Sequence, residues 1–208
     1  MKKGLSREAV TAVAVQLVRE RGYWALSLRD VAGRLGVKPA SLYNHVEGIV
    51  DIQLSVAEYA ADMLETALVS AVKDKESDEA LKCGACAYMD FAKANPDLYK
   101  ALIHAPKSED GRARALGRKT FDVFGKILHG YGIDEKNYLH LIRMLRCMLH
   151  GFFELCENGF LSHGRAKRED SFRFIVDEFI ALVRTYSNLG TDHGQGYDAP
   201  LTGGEDKK

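Results

Sequence analysis

Much of what this chain could be is excluded by what it lacks. Four cysteines in 208 residues (Cys83, Cys86, Cys147 and Cys156) make no disulfide framework, so reduced thiols and a cytoplasmic setting are expected. No apolar run approaches the roughly 20 residues that a bilayer-spanning helix needs, so no membrane partner is expected. Lys2 and Lys3 are followed by no apolar h-region, so no secretory signal is read. There is no Gly-rich phosphate loop, no nucleophile elbow and no paired histidine or cysteine spacing that suits a metal. Cys83 and Cys86 form a C-x-x-C, but without a strand context or a second ligand pair they read as small residues on one helix face. No catalytic residue, metal or cofactor is therefore assigned, and enzymatic activity is not expected. Strand signals and internal repeats are almost absent too. Net charge is nil, with 29 basic against 29 acidic residues.

The distribution of charge says more than its sum. Residues 1–50 carry eight Lys or Arg (Lys2, Lys3, Arg7, Arg19, Arg21, Arg29, Arg34, Lys38) against four acids (Glu8, Glu20, Asp30, Glu47), a net of +4 that leaves −4 on the remainder. A basic end on an acidic body suits a polyanion partner at that end alone. Apolar residues recur near a period of 3.6 along the chain, which predicts an all-α fold. Ser6 caps a first helix that ends at Gly22, and Ser27 caps a second that ends at Gly36, where a positive φ lets the chain turn sharply. Pro39 suits the first turn of a third helix, which is expected to run to Val46. Longer helices are predicted near residues 48–72, 79–94, 97–104, 115–129, 135–158 and 167–188. The expected domains are a helix-turn-helix unit over 1–47 and a helical body over 48–189, with a Gly-rich polar tail over 190–208 that buries little and is expected to be disordered.

Residues 22–46, GYWALSLRDVAGRLGVKPASLYNHV, carry the functional signal. A helix that reads DNA must turn small and polar side chains to base edges while its back holds the core. Lys38, Ala40, Ser41, Asn44 and His45 lie opposite Leu42 and Val46, as that demands. The pattern alone leaves an ordinary helical corner open. The residues themselves resemble the N-terminal domain of the TetR/AcrR-type transcriptional regulators: Gly22-Tyr23, Ser27, Val31-Ala32, Gly36-Val37 and Leu42-Tyr43-Asn44-His45-Val46, a match covering about residues 6–56. The resemblance implies that Ser27 and Arg29 contact the DNA backbone. It also implies that Lys38, Pro39, Ala40 and Ser41 face base edges, and that Tyr43 and His45 clamp phosphates. For Tyr43 a packing role, for His45 a solvated surface and for Arg29 a plain surface ion pair stay open. Members of that family usually carry a Lys shortly after the His-apolar pair. Here the segment reads Glu47-Gly48-Ile49-Val50-Asp51, so two expectations stay open: weaker DNA binding, or a grip on phosphate that leans more on Lys2, Lys3, Arg7 and Arg29.

The body resembles one branch of the same family through Asp90-Phe91-Ala92, Asn95-Pro96-Asp97-Leu98-Tyr99 and His150-Gly151-Phe152, with Met148 or Leu149 where a tryptophan would be expected in a WHG-like segment. It implies a small-molecule effector, for which Tyr88, Met89, Tyr99, Ile103, His104, Phe121, Phe124, Met148 and Phe152 are the candidate lining. Any one of these also reads as plain core. Leu149, Phe153, Phe172, Val176, Phe179 and Val183 mark the strongly apolar faces of the last two helices. They are the candidate interface of a homodimer, which reading two half-sites requires. The resemblance thus implies a ligand-responsive regulator, a repressor released from its double-stranded operator when effector binding swings the fourth helix. The rival readings are a helical small-molecule-binding protein or enzyme without DNA-binding activity, and a module that binds protein through its N-terminal helices.

Overall fold

The computed structural model describes residues 5–107, 109, 111–162 and 166–189; Lys2, Lys3 and the tail 190–208 lie outside them. Among the described residues there is no strand, and no helix is long and apolar enough to cross a membrane. The helices are α1 (Arg7–Arg21), α2 (Leu28–Leu35), α3 (Pro39–Leu42), α4 (Ile49–Val72), α5 (Ser77–Ala94), α6 (Pro96–Ile103), α7 (Arg112–Gly130), α8 (Glu135–Glu157) and α9 (Arg168–Leu189). A 3-10 turn over Tyr23–Ala25, not anticipated from the sequence, joins α1 to α2.

Local chemistry sets the ends of the first elements. The Ser6 hydroxyl accepts the Ala9 N–H, and the Ser27 hydroxyl accepts the Asp30 N–H at 3.2 Å, so each helix starts with one orphan donor satisfied. Gly36 ends α2 with φ +69°, in the left-handed region where a Cβ would be strained. Val10, Ala14, Val18, Val31, Ala32, Leu42 and Val46 close a small core among α1, α2 and α3. Leu42 is fully buried, and its truncation to alanine would cost roughly 2–5 kcal/mol.

The third helix differs from expectation. It has one regular turn, after which His45 and Val46 both donate to the Leu42 carbonyl, at 2.9 and 3.0 Å, and the chain bends into α4. Tyr43, Asn44, His45 and Val46 are all weak helix formers, so propensity does not extend the helix against the need to turn back.

The axis of the molecule is α4. Its buried side is rich in small residues (Ala57, Ala60, Ala61), which lets α1, α5, α6 and α7 approach it closely. Where α5 meets α7, Gly84 makes room: a Cβ there would lie 2.8 Å from a ring carbon of Phe124. α8 and α9 then pack on each other and on α5. Leu149, Phe153, Val176, Phe179 and Val183 are buried within the chain, and Phe172 is half-buried against the core. The first five therefore have little surface left to offer the second copy expected of them, whereas Phe172 keeps some. They form the inward stripe of α8 and α9, because the more apolar face of each helix turns to its own core. The outward face carries Met144, Cys147 and Leu155 on α8 and Phe174 on α9.

Candidate nucleic-acid interface

The segment from Lys38 to His45, α3 with its flanking residues, presents a compact set of side chains. Lys38, Pro39 and Ala40 are exposed, Ser41 and His45 are half-buried, and Tyr43 is 60% exposed. Directly behind them Leu42 and Val46 are buried, so the segment is anchored from one side and open on the other. Tyr43 is thus not a packing tyrosine. Arg29 is exposed and forms no ion pair or hydrogen bond among the described residues. Ser27 is otherwise engaged: its hydroxyl holds the first turn of α2 through Asp30, whose carboxyl sits below its ordinary range chiefly because of that hydroxyl.

The other basic residues of this unit are largely paired. Arg34 grips Glu20 with two bonds of 3.0 and 2.6 Å, and Arg21 meets Asp30 at 3.2 Å. Arg7, expected to help grip phosphate, bonds instead to Asp51 and reaches Ser55 Oγ at 3.4 Å. That expectation is corrected: the Arg7 charge is turned into the protein. Lys38 and Arg29 are the cations of the turn left facing outward.

Asp51 explains the departure from the family pattern. It is 6% exposed and accepts from Arg7, from the Glu47 N–H at 3.0 Å and from Arg112 Nη1 at 2.6 Å. Burial pushes its carboxyl up, but the Glu47 amide and the two guanidiniums outweigh this and hold it below the usual carboxylate range. Arg112 also binds both carboxylate oxygens of Glu58, each at 2.7 Å. Sequence reading missed this cluster, since Arg112 and Asp51 are 61 residues apart and no spacing rule connects them.

A second seam joins the N-terminal unit to the body. The Tyr23 hydroxyl donates to the His104 carbonyl at 3.2 Å, and Trp24, 72% exposed, lies with its ring 5.2 Å from that of His104. Sequence reading gave His104 to an effector pocket and Trp24 to nothing. In the structure His104 is exposed at the end of α6, on the seam, and Ile103 is half-buried beside it.

Inside the body, Tyr88, Met89, Tyr99, Phe121, Phe124 and Phe152 are buried. Tyr88 and Tyr99 join hydroxyls at 2.9 Å, and Tyr99 reaches His150 Nδ1 at 2.8 Å. Burial lowers the pKa of His150 while Glu154 pulls it up, so the ring is neutral near pH 7. In the tautomer that leaves Nδ1 bare, Tyr99 donates to it and accepts from Tyr88; in the other tautomer both directions reverse. Tyr99→Phe is expected to destabilise the fold by about 1–3 kcal/mol in denaturant titration, because the buried Tyr88 hydroxyl and the half-buried His150 ring lose their partner. Tyr88→Phe, at the end of the chain, should cost less.

Two open grooves border the body helices. One, of about 420 Å³, runs along α8 and α9 over Met148, Phe152, Leu155, Phe160 and Ile175, with Arg168 at its edge. The other, of about 350 Å³, lies among α5, α8 and α9 and takes in Met89, Phe152, Cys156 and Phe172 with Lys93 and Arg173. Of the candidate lining residues, Met89, Met148 and Phe152 border these grooves. Phe121 instead packs its ring, tilted, against those of Tyr88 and Phe124, at centroid separations of 6.0 and 5.7 Å.

The chain is similar to known proteins in sequence and in fold. A family model described as "Bacterial regulatory proteins, tetR family" matches residues 10–45, and one described as "Tetracyclin repressor-like, C-terminal domain" matches residues 81–179. An uncharacterized HTH-type transcriptional regulator of Bacillus subtilis (strain 168), YobS, is 31% identical over 185 residues, covering 88% of this chain and 91% of that protein. Among solved structures, a TetR variant from Acinetobacter baumannii AYE in complex with minocycline superposes with a TM-score of 0.66 at 20% identity, over 88% of this chain and 99% of that one. BioQ with its double-stranded DNA operator superposes with a TM-score of 0.64 at 18% identity, over 87% and 99%.

Proposed function

This chain belongs to the TetR family of bacterial DNA-binding transcriptional regulators, and we infer from that premise that it is a homodimeric repressor released from its operator by a small molecule. The observation that carries the reading is the outward face of residues 38–45, open to a groove of DNA over a fully buried Leu42. Lys38, Pro39, Ala40 and Ser41 read base edges in this proposal, while Tyr43, His45, Arg29 and the amides at the start of α2 hold phosphates. Residues 1–47 form the reading head and residues 48–189 the body, working in the cytoplasm where operator DNA lies. The structural relatives seen with minocycline and with an operator support both halves of the mechanism.

A second copy docks, in this reading, on the outward face of α8 and α9, where Met144, Cys147, Leu155 and Phe174 stay exposed in the single chain. The effector occupies the body helices, with Met89, Met148 and Phe152 bordering its entry. It must bind one arrangement of the two heads better than the other, since a ligand indifferent to both shifts nothing.

Selection from random duplexes followed by anisotropy titration across salt tests the reading. The wild-type protein should retain a bound duplex whose affinity falls with salt, as phosphate contacts require. Met144→Glu should turn dimer into monomer in sedimentation and weaken that binding. A chain that binds no duplex even at low salt would sink the proposal.

A further inference from the structure

We propose that Arg112 is a positioning residue for the reading head, the point at which the body grips α4 and, through Asp51, α1 and the end of the recognition segment. The inference rests on the DNA-reading function above. Arg112 opens α7, on the body side of the molecule. Its planar guanidinium spans two carboxylates at once, Glu58 through Nε and Nη2 and Asp51 through Nη1, and Nη2 also reaches Ser55 Oγ at 3.3 Å. A lysine ammonium, a single point charge, cannot reproduce that fork.

Asp51 passes the grip on in two directions. One oxygen takes Arg7, in the opening turn of α1. The other takes the N–H of Glu47, the residue that follows Val46 and leads out of the recognition segment. A single buried carboxylate therefore joins the starts of α1, α4 and α7. The cluster is sheltered: Asp51 is 6% and Arg112 23% exposed, so solvent screens it far less than a surface pair.

The connection between α6 and α7 is held at its other end as well, where the His104 carbonyl accepts from Tyr23 and the ring faces Trp24. Motion of α7 against α4 must break the Arg112 fork or carry the head along, which gives an effector in the body a mechanical route to residues 38–45. A second α4–α7 ion pair serves as contrast. Lys119 binds Asp62 and Glu65 further along both helices, exposed and remote from Asp51.

The test uses the full chain, with hydrogen exchange and operator affinity read side by side. Arg112→Gln should weaken operator binding about tenfold, within the range of ordinary site coupling. It should also speed exchange in α1 and at residues 47–52 while leaving α8 and α9 unchanged. Glu58→Gln, a milder change at a half-exposed side chain, should move both readouts in the same direction. Arg112→Lys should restore them only in part, and Lys119→Gln should move neither. The proposal is overturned if Arg112→Gln binds the operator as the wild type does with an unaltered head. It is equally overturned if exchange rises uniformly, or if Lys119→Gln has the same effect. A wild-type chain that binds no duplex refutes the regulator reading instead, and the exchange pattern then decides the role of Arg112 by itself.

Discussion

Replacing Lys38 and Tyr43 together by alanine is expected to lower operator affinity by about 100-fold or more while leaving the melting temperature within about 1 °C of wild type. The two halves of that expectation have separate causes. Both side chains project from the open face of residues 38–45, Tyr43 with 60% of its surface exposed, so their loss removes little packing. Neither enters an ion pair among the described residues, whereas Arg7, Arg21 and Arg34 in the same unit are held by acids. Lys38 therefore brings an uncompensated charge to the duplex. If Lys38 contacts phosphate, its removal should reduce the salt slope of binding by about one; if it reads a base edge, the loss should fall mainly on the selected duplex. Anisotropy against selected and unrelated duplexes, at several salt concentrations, separates these. Unchanged affinity in the double variant would show that the outward face of residues 38–45 is not what meets DNA.

Asp51→Ala should be the most damaging single polar substitution, costing about 2–3 kcal/mol, or roughly 5–10 °C in melting for a chain of this size. Without the carboxylate, the guanidiniums of Arg7 and Arg112 face each other and the Glu47 N–H loses its acceptor. The figure sits below that for a fully buried pair because Arg7 is 43% exposed.

The same group sets an acid limit. Its folded pKa lies below its ordinary value of about 4, so the folded state favours the ionised form. The stabilisation is complete above that ordinary value and is lost as pH falls through the lowered one. Melting temperatures taken from pH 5 down to pH 3 should fall more steeply for the wild type than for Asp51→Asn. Parallel curves would mean that Asp51 titrates as an ordinary exposed carboxylate.

The reading head was legible before any coordinates because its signals act within a few residues. A serine satisfies an amide three positions on, Gly36 turns the chain at φ +69°, Pro39 opens a turn, and Leu42 and Val46 fall on one side. Each is a local hydrogen-bond or steric requirement, so order along the chain specifies it. The length of α3 is not legible along the chain for a tertiary reason: the chain must bend at once into α4. The body was legible as helices but not as surfaces. α8 and α9 are apolar on more than one side, and periodicity cannot say which stripe turns inward. Packing assigned Leu149, Phe153, Phe179 and Val183 to the core and left Met144, Leu155 and Phe174 outside.

The acids at Glu47 and Asp51 show the difference most sharply. Along the chain they look like a lost phosphate contact, two negative charges beside a DNA-reading turn. Folded, Asp51 is an internal anchor, because Arg7 and Arg112 arrive from 44 and 61 residues away. Hydrogen bonds a few residues apart are written in the order of the amino acids. A carboxylate's charge acquires its meaning from whatever the fold carries to within about 3 Å of it, and no reading along the chain contains that distance.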